Sequence, residues 1–218
     1  MNKMLLSVGA VCFLWAGGPA NGSWVDFVDP LRQSTLDVGG FGYDIETSGE
    51  GAWYSDMSVG DSTGFASAGQ QSDFGSSWID FSASTFAESD LLNAMTGAET
   101  SLMVQLVIEE PAMLSIDWSF QMDRSSEAST RGGFRIDDDQ SGGAIYEIDA
   151  RTTGSGISMI TLNEGIYLVS ILVSSEAESG ENFASVDAGI LVEFVVPAPG
   201  GLMAFLLAMI PFRGRSRR

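Results

Sequence analysis

The chain has 218 residues, with 29 acidic against ten basic side chains, a net charge of −19 and no histidine. Without histidine the commonest general base and metal ligand is missing, so Ser–His–Asp catalysis is excluded. Lys3 is the only lysine and no Gly-x-x-x-x-Gly-Lys-Ser/Thr run occurs, which excludes a P-loop.

Lys3 gives a positive start, Met4 to Ala16 is an apolar stretch, and small residues follow at Gly17, Gly18, Ala20 and Gly22. This is the layout of a secretory signal peptide over 1–22, too short for a permanent span, with cleavage expected after Ala20 or Gly22. Cys12 lies within the apolar stretch behind Val11, where a lipid-attachment site requires a small residue. Removal of the leader would leave no cysteine, hence no disulfide, thiol nucleophile or cysteine metal site.

Residues 23–196 suffice for one well-buried domain. All 29 acidic residues lie there with only five arginines (Arg32, Arg124, Arg131, Arg135 and Arg151), so its net charge is −24. Nucleic acid and anionic membrane surfaces would repel such a body, while cations would collect around it.

Along this region, short apolar alternations separated by Gly, Ser, Asn and Asp predict strands, and long stripes of helical period are nearly absent. Weaker strands are expected at 24–28, 41–46, 52–59 and 77–83. The Gly/Ser-rich stretch 60–77 reads as a long loop. Leu91, Leu92 and Met95 stand at helical spacing after Ser89-Asp90, which predicts a short helix over 88–95. Leu102 to Ile108 is apolar on both faces apart from Gln105, the mark of a central strand. Leu114 to Asp123 alternates five apolar with five polar residues, so it has one dry and one wet face. Further strands are expected at 133–136, 144–148 and 157–162, from Gly165 onward, and at 183–196. About ten short strands with frequent turns predict an all-β antiparallel sandwich, jelly-roll-like.

Three groups of residues are candidates for chemistry. Asp137-Asp138-Asp139 before Gly142-Gly143 is the densest carboxylate cluster, and Asp137 and Asp139 could face one calcium ion. The spacing of an EF-hand loop is missing, and a solvated hairpin turn explains the run equally simply. Trp53 and Tyr54 are neighbours on an expected strand, so they project to opposite faces, and one exposed ring beside carboxylates would suit a sugar. Core packing is the plainer account of any single aromatic, Trp118 above all. A glycosidase needs two carboxylates at a set separation, but with 29 acids some pair meets that by chance and no aromatic-flanked pair stands out. The domain is therefore expected to be non-enzymatic and to need no cofactor, calcium being the one candidate.

At the carboxyl end, Leu202 to Phe212 is an uncharged run of eleven residues. As a helix it spans roughly 16 Å, about half of a hydrocarbon core. The uncharged segment from Val195 to Gly201, extended by Pro197 and Pro199, would complete a short transmembrane segment. Arg213, Arg215, Arg217 and Arg218 follow at once, a charge pattern that holds an end on the cytoplasmic side. An ordinary buried helix would leave these arginines without a role.

The order of Val196-Pro197-Ala198-Pro199-Gly200, apolar run and arginine-rich end resembles the PEP-CTERM sorting signal, over about a tenth of the chain. The resemblance implies recognition by an exosortase, a membrane-embedded cysteine transpeptidase, with cutting near the motif and transfer to the cell surface or its polymer matrix. By position, Val196 to Pro199 match the recognition motif, 202–212 the membrane stretch and 213–218 the stop. The consensus glutamate between the prolines is Ala198 here. The expectation is an exported cell-surface or matrix protein with a structural or interaction domain, in transient contact with the membrane through its tail. The alternative is a carbohydrate-binding module, with or without calcium, whose partner is an extracellular polysaccharide.

Overall fold

The computed structural model describes residues 25–49, 51–91, 94–178 and 180–195. The expected signal peptide, the sorting motif, the membrane stretch and the terminal arginines lie outside them. Twelve strands account for the regular structure: β1 (Val25–Val38), β2 (Phe41–Ser48), β3 (Trp53–Gly60), β4 (Gly64–Phe74), β5 (Trp78–Ser89), β6 (Met95–Ile108), β7 (Ala112–Arg124), β8 (Ala128–Asp138), β9 (Ala144–Ala150), β10 (Gly154–Leu162), β11 (Gly165–Glu178) and β12 (Asn182–Val195).

They form two antiparallel six-stranded sheets, β2-β1-β6-β11-β8-β9 and β10-β7-β12-β5-β4-β3. From β5 onward the pairs nest: β8 with β9, β7 with β10, β6 with β11 and β5 with β12. This is the connectivity of one long hairpin rolled up on itself, with β1 and β2 added beside β6 and β3 and β4 added beside β5. The fold is an all-β antiparallel sandwich, as the alternation and turn density predict.

Hydrophobic contrast sets the orientation of each strand. In β7, Leu114, Ile116 and Phe120 are fully buried while Asp117, Ser119, Gln121 and Asp123 face water. A one-residue slip would expose all three apolar side chains, at about 1.5–3 kcal/mol each, so the register is firmly specified. β6 is central, between β1 and β11. The main core joins Leu102, Val104, Leu106 and Ile108 of β6 to Val169, Ile171 and Val173 of β11, and to the inner faces of β5, β7 and β12. A smaller cluster (Leu36, Val38, Ala66, Ala68 and Ala98) lies under β1, β4 and β6.

Between the two clusters runs a polar band. Ser34 Oγ lies 3.1 Å from Ser55 Oγ and 3.2 Å from Thr100 Oγ1, and Thr100 also donates to Gln70. Arg32, only 2% exposed, has a hydrogen bond for each of its three guanidinium nitrogens: Nε to Ser72 Oγ at 2.7 Å, Nη1 to Gly49 O at 2.6 Å and Nη2 to Gly51 O at 2.7 Å. Its guanidinium also lies 5.0 Å from the Phe74 ring centre. Gly49 and Gly51 have φ of 134° and 94°, values that suit glycine, so the link between the sheets bends to present its carbonyls to this cation.

Two expectations are corrected. The stretch 60–77 is not a loop, because β4 occupies 64–74 between β3 and β5. Its fully buried residues are Gly64, Ala66, Ala68, Gln70 and Ser72, which fill a narrow part of the sandwich, and apolar bulk comes only from Phe74 at its end. The expected helix over 88–95 is also overturned. Glu88 and Ser89 end β5, Met95 begins β6, and Ser89 Oγ donates to Ala94 O at 3.2 Å across the connection. Leu91 and Met95, two of the three residues of the supposed apolar stripe, are both exposed.

Candidate binding face

Alternation turns one side of every strand of the second sheet outward, and the register aligns those residues across strands. One row crosses all six: Ser155, Ser119, Gly189, Ser82, Gln71 and Tyr54. The row beside it is Gln121, Asp187, Ser84, Gly69 and Asp56, and on the other side lie Asp117, Leu191, Asp80 and Asp73. The floor is low because Gly69 and Gly189 carry no side chain. A Cβ would stand 3.1 Å from Ser84 Oγ at the first and 3.3 Å from Ser119 Oγ at the second.

Apolar residues form the rims. Phe65 and Phe86 (ring centres 6.1 Å apart) and Phe183 stand on one side, and Leu191, Ile157, Met159 and Trp78 on the other. The result is a shallow trough across the sheet, resolved into two recesses of about 390 and 490 Å³ that meet at Asp187 and Ala188. Hydroxyls, amides and carboxylates line the bottom, with flat apolar surface along the sides.

The two adjacent aromatics separate as expected. Tyr54 points out at the end of the trough, 69% exposed, with its hydroxyl 3.4 Å from Asp56 Oδ2. Trp53 points inward and is half-buried. Trp118 also faces inward, packed beside Phe120 against the core, with Gly154 and Gly156 alongside its ring.

The acidic run at the end of β8 is occupied by local bonds. Arg135 Nε donates to both oxygens of Asp137 at 2.8 Å, and Nη2 lies 2.7 Å from Oδ1. Asp138 Oδ1 accepts from Gln140 N at 2.8 Å, and Asp139 N donates to Ile166 O at 3.1 Å. Asp137 and Asp139 thus sit in a braced turn, and among the described residues no three carboxylates gather as a metal-ligand set.

Charge is divided between the two outer faces. Arg131 and Arg135 lie on the first sheet, where Arg131 meets Asp149 at 3.0 Å, and Arg151 reaches the same carboxylate at 3.5 Å. On that face, partial burial and the nearby Glu176 raise the affinity of Glu99 for its proton, against the pull of Arg131. The outer face of the second sheet bears no basic side chain among the described residues, and none of its carboxylates is in an ion pair there.

Sequence reasoning found Tyr54 but missed Ser119, Gly189, Ser82 and Gln71. Ser119 was visible as part of the wet face of its strand; its alignment with the others depends on the pairing of six strands.

No protein-family model and no curated protein matches the chain. Among solved structures it is similar to the enzymatically active domain of tailspike protein 4 of bacteriophage CBA120, at 10% identity and a TM-score of 0.27, over 65% of this chain and 19% of that one. The match thus spans about a fifth of the tailspike domain. It is also similar to TmCBM61, solved in complex with β-1,4-galactotriose, at 13% identity and a TM-score of 0.28, over 59% of this chain and 87% of that one.

Proposed function

We propose that this chain is an exported, non-catalytic binding module, built as a jelly-roll-type sandwich, that holds a linear polysaccharide across the outer face of its second sheet. The observation that carries the reading is the trough itself. Six strands at about 4.8 Å spacing give it a length of roughly 24 Å, and that spacing is close to the advance of one pyranose in an extended chain. Its hydroxyl and amide floor suits sugar hydroxyls, and Tyr54 offers an open ring face at one end. The trough is open to solvent along its length, which suits holding a polymer.

The test is a glycan array probed with and without chelator, which also separates a calcium-dependent mode from a metal-free one. Tyr54→Ala is then expected to weaken the best glycan about two- to tenfold, as loss of one stacking contact implies. Its thermal midpoint should stay unchanged, because Tyr54 is exposed. An array that retains no polysaccharide removes the reading.

The address of the module is read from its termini. The signal-peptide layout sends the body through the membrane, and the PEP-CTERM-like tail holds it there for an exosortase-type transpeptidase to cut and transfer. Replacing Pro197 and Pro199 by alanine is expected to leave unprocessed precursor in the membrane fraction of the native cells. Normal maturation of that variant, read by mass spectrometry of both termini, would count against the sorting reading and leave the binding reading untouched.

A further inference from the structure

We infer that the open edge of the first sheet is a contact between copies of this chain: β2 pairs antiparallel with β2 of a second copy across a twofold axis at Tyr43. β2 ends its sheet, and among the described residues only β1 pairs with it, so the amides and carbonyls of its other edge are open. Such an edge is a template for another strand.

The side chains of β2 also lack a partner. Phe41, Tyr43 and Ile45 stand opposite Val38, Leu36 and Ser34 of β1, so they belong to the inner face of the sheet. Leu36 and Val38 pack against Ala66 and Ala68 of β4 and Met57 and Val59 of β3. β2 lies beyond that cover, and its three apolar side chains are 68%, 48% and 44% exposed in chain order. The strand overhangs the sandwich as half of a core with nothing beneath it.

The order of charges selects the occupant. Gly42, Asp44 and Glu46 alternate with the apolar residues and face outward. Two copies keep their inner faces on one side only when apolar positions stand opposite apolar positions. Centring the pair on residue 44 sets Asp44 against its own copy, and centring on 45 sets Asp44 against Glu46, both like-charge contacts. Centring on 42 leaves Ile45 beyond the end of the partner strand. Centring on Tyr43 sets Phe41 against Ile45, Tyr43 against Tyr43, and Asp44 against Gly42, where even an added Cβ would meet nothing within 4 Å. Glu46 then falls beside the turn at Gly39-Gly40. Each apolar side chain gains an apolar partner and no carboxylate directly opposes another. The two Asp44 side chains stand diagonally, about 7–8 Å apart, and still repel.

The axis reverses strand direction, and Phe194 meets Phe27 at the end where β1 begins. Chains continuing past Val195 therefore leave from opposite ends of the pair, which suits bodies that face each other.

The experiment uses the full-length chain in detergent, with Cys12→Ser removing the one native thiol. A single pair of strands is a small interface, so sedimentation should show a monomer–dimer equilibrium with a Kd of about 10–100 µM that tightens as salt screens Asp44. Asp44→Asn should tighten it several-fold, whereas Asp123→Asn on β7, an equal change in charge, should not. Single cysteines then read the register under mild oxidation. Tyr43→Cys should form a disulfide dimer, because directly opposed Cβ atoms lie about 4.5–5.5 Å apart. Phe41→Cys and Ile45→Cys each stand roughly 13 Å from their own copies, too far to bridge, yet mixing the two variants should link them to each other. Random collision would favour position 41, the most exposed of the three. Self-linking at 41 as fast as at 43 would overturn the inference. So would a wild-type chain that stays monomeric up to about 1 mM or assembles beyond the dimer.

Discussion

Replacing Gly132 by alanine is expected to destabilise the protein by about 1–3 kcal/mol, through overpacking at a single methyl group. Gly132 lies on the inner face of β8, and a Cβ built there falls 2.3 Å from Cδ1 of Phe120 on the opposite sheet. Phe120 cannot swing away, since it is 1% exposed and its ring lies 5.7 Å from that of Trp118. The methyl group must push the sheets apart or force the phenylalanine out of its rotamer, and each route has a cost. The thermal midpoint should fall by about 3–9 °C. Shrinking the neighbour in the double variant Gly132→Ala/Phe120→Leu should recover part of the loss, with a coupling of about 0.5–3 kcal/mol in the double-mutant cycle. An unchanged midpoint in Gly132→Ala, or strictly additive losses, would mean that this contact does not set the sheet separation.

Removing the side chain of Arg32 should be at least as damaging, about 2–4 kcal/mol for Arg32→Ala, since it leaves buried neutral acceptors without their donor and removes packed volume. The truncation leaves Ser72 Oγ and the carbonyls of Gly49 and Gly51 without their donor and opens a void under Phe74. Burial lowers the proton affinity of this guanidinium and the nearby Asp73 partly restores it, and a guanidinium stays protonated in proteins, so the side chain remains a cation. Lysine should rescue poorly, since one ammonium cannot span three acceptors held by a planar fork. Methionine should recover the packing but not the grip on the link between β2 and β3. Limited proteolysis separates the two contributions: cleavage in 49–52 should rise in all three variants, while stability falls most in Arg32→Ala. A wild-type cleavage rate in Arg32→Ala would show that the guanidinium does not hold this link.

Strands with strong apolar contrast were legible from sequence, because burial of Leu114, Ile116 and Phe120, or of Val186, Ile190 and Val192, leaves only one orientation. β4 was not legible. Its fully buried residues are Gly, Ala, Gln and Ser, with apolar bulk only at Phe74, and it is a strand because β3 and β5 saturate its backbone on both sides. The 88–95 segment misled for the opposite reason: Leu91, Leu92 and Met95 imitate helical spacing, yet the chain there is crossing from one sheet to the other. At the candidate site, the adjacency of Trp53 and Tyr54 sufficed to place one ring outside. The trough stayed hidden because serine, glycine and glutamine carry no periodic signal of their own, and a floor shared by six strands exists only once their register is fixed. The pairing of Asp137 with Arg135 was within reach, since residues two apart on a strand share a face.

The position of β12 has a mechanical consequence. Phe27 and Phe194 touch with ring centres 5.8 Å apart, so the described chain begins and ends at one pole of the sandwich. A load applied through the residues after Val195 enters a middle strand bonded along its length to β5 and β7. Pulling along that axis strains both ladders together, whereas an edge strand peels open one rung at a time. A body tethered at that pole and gripping a fibre across its flank would resist tension in its strongest direction.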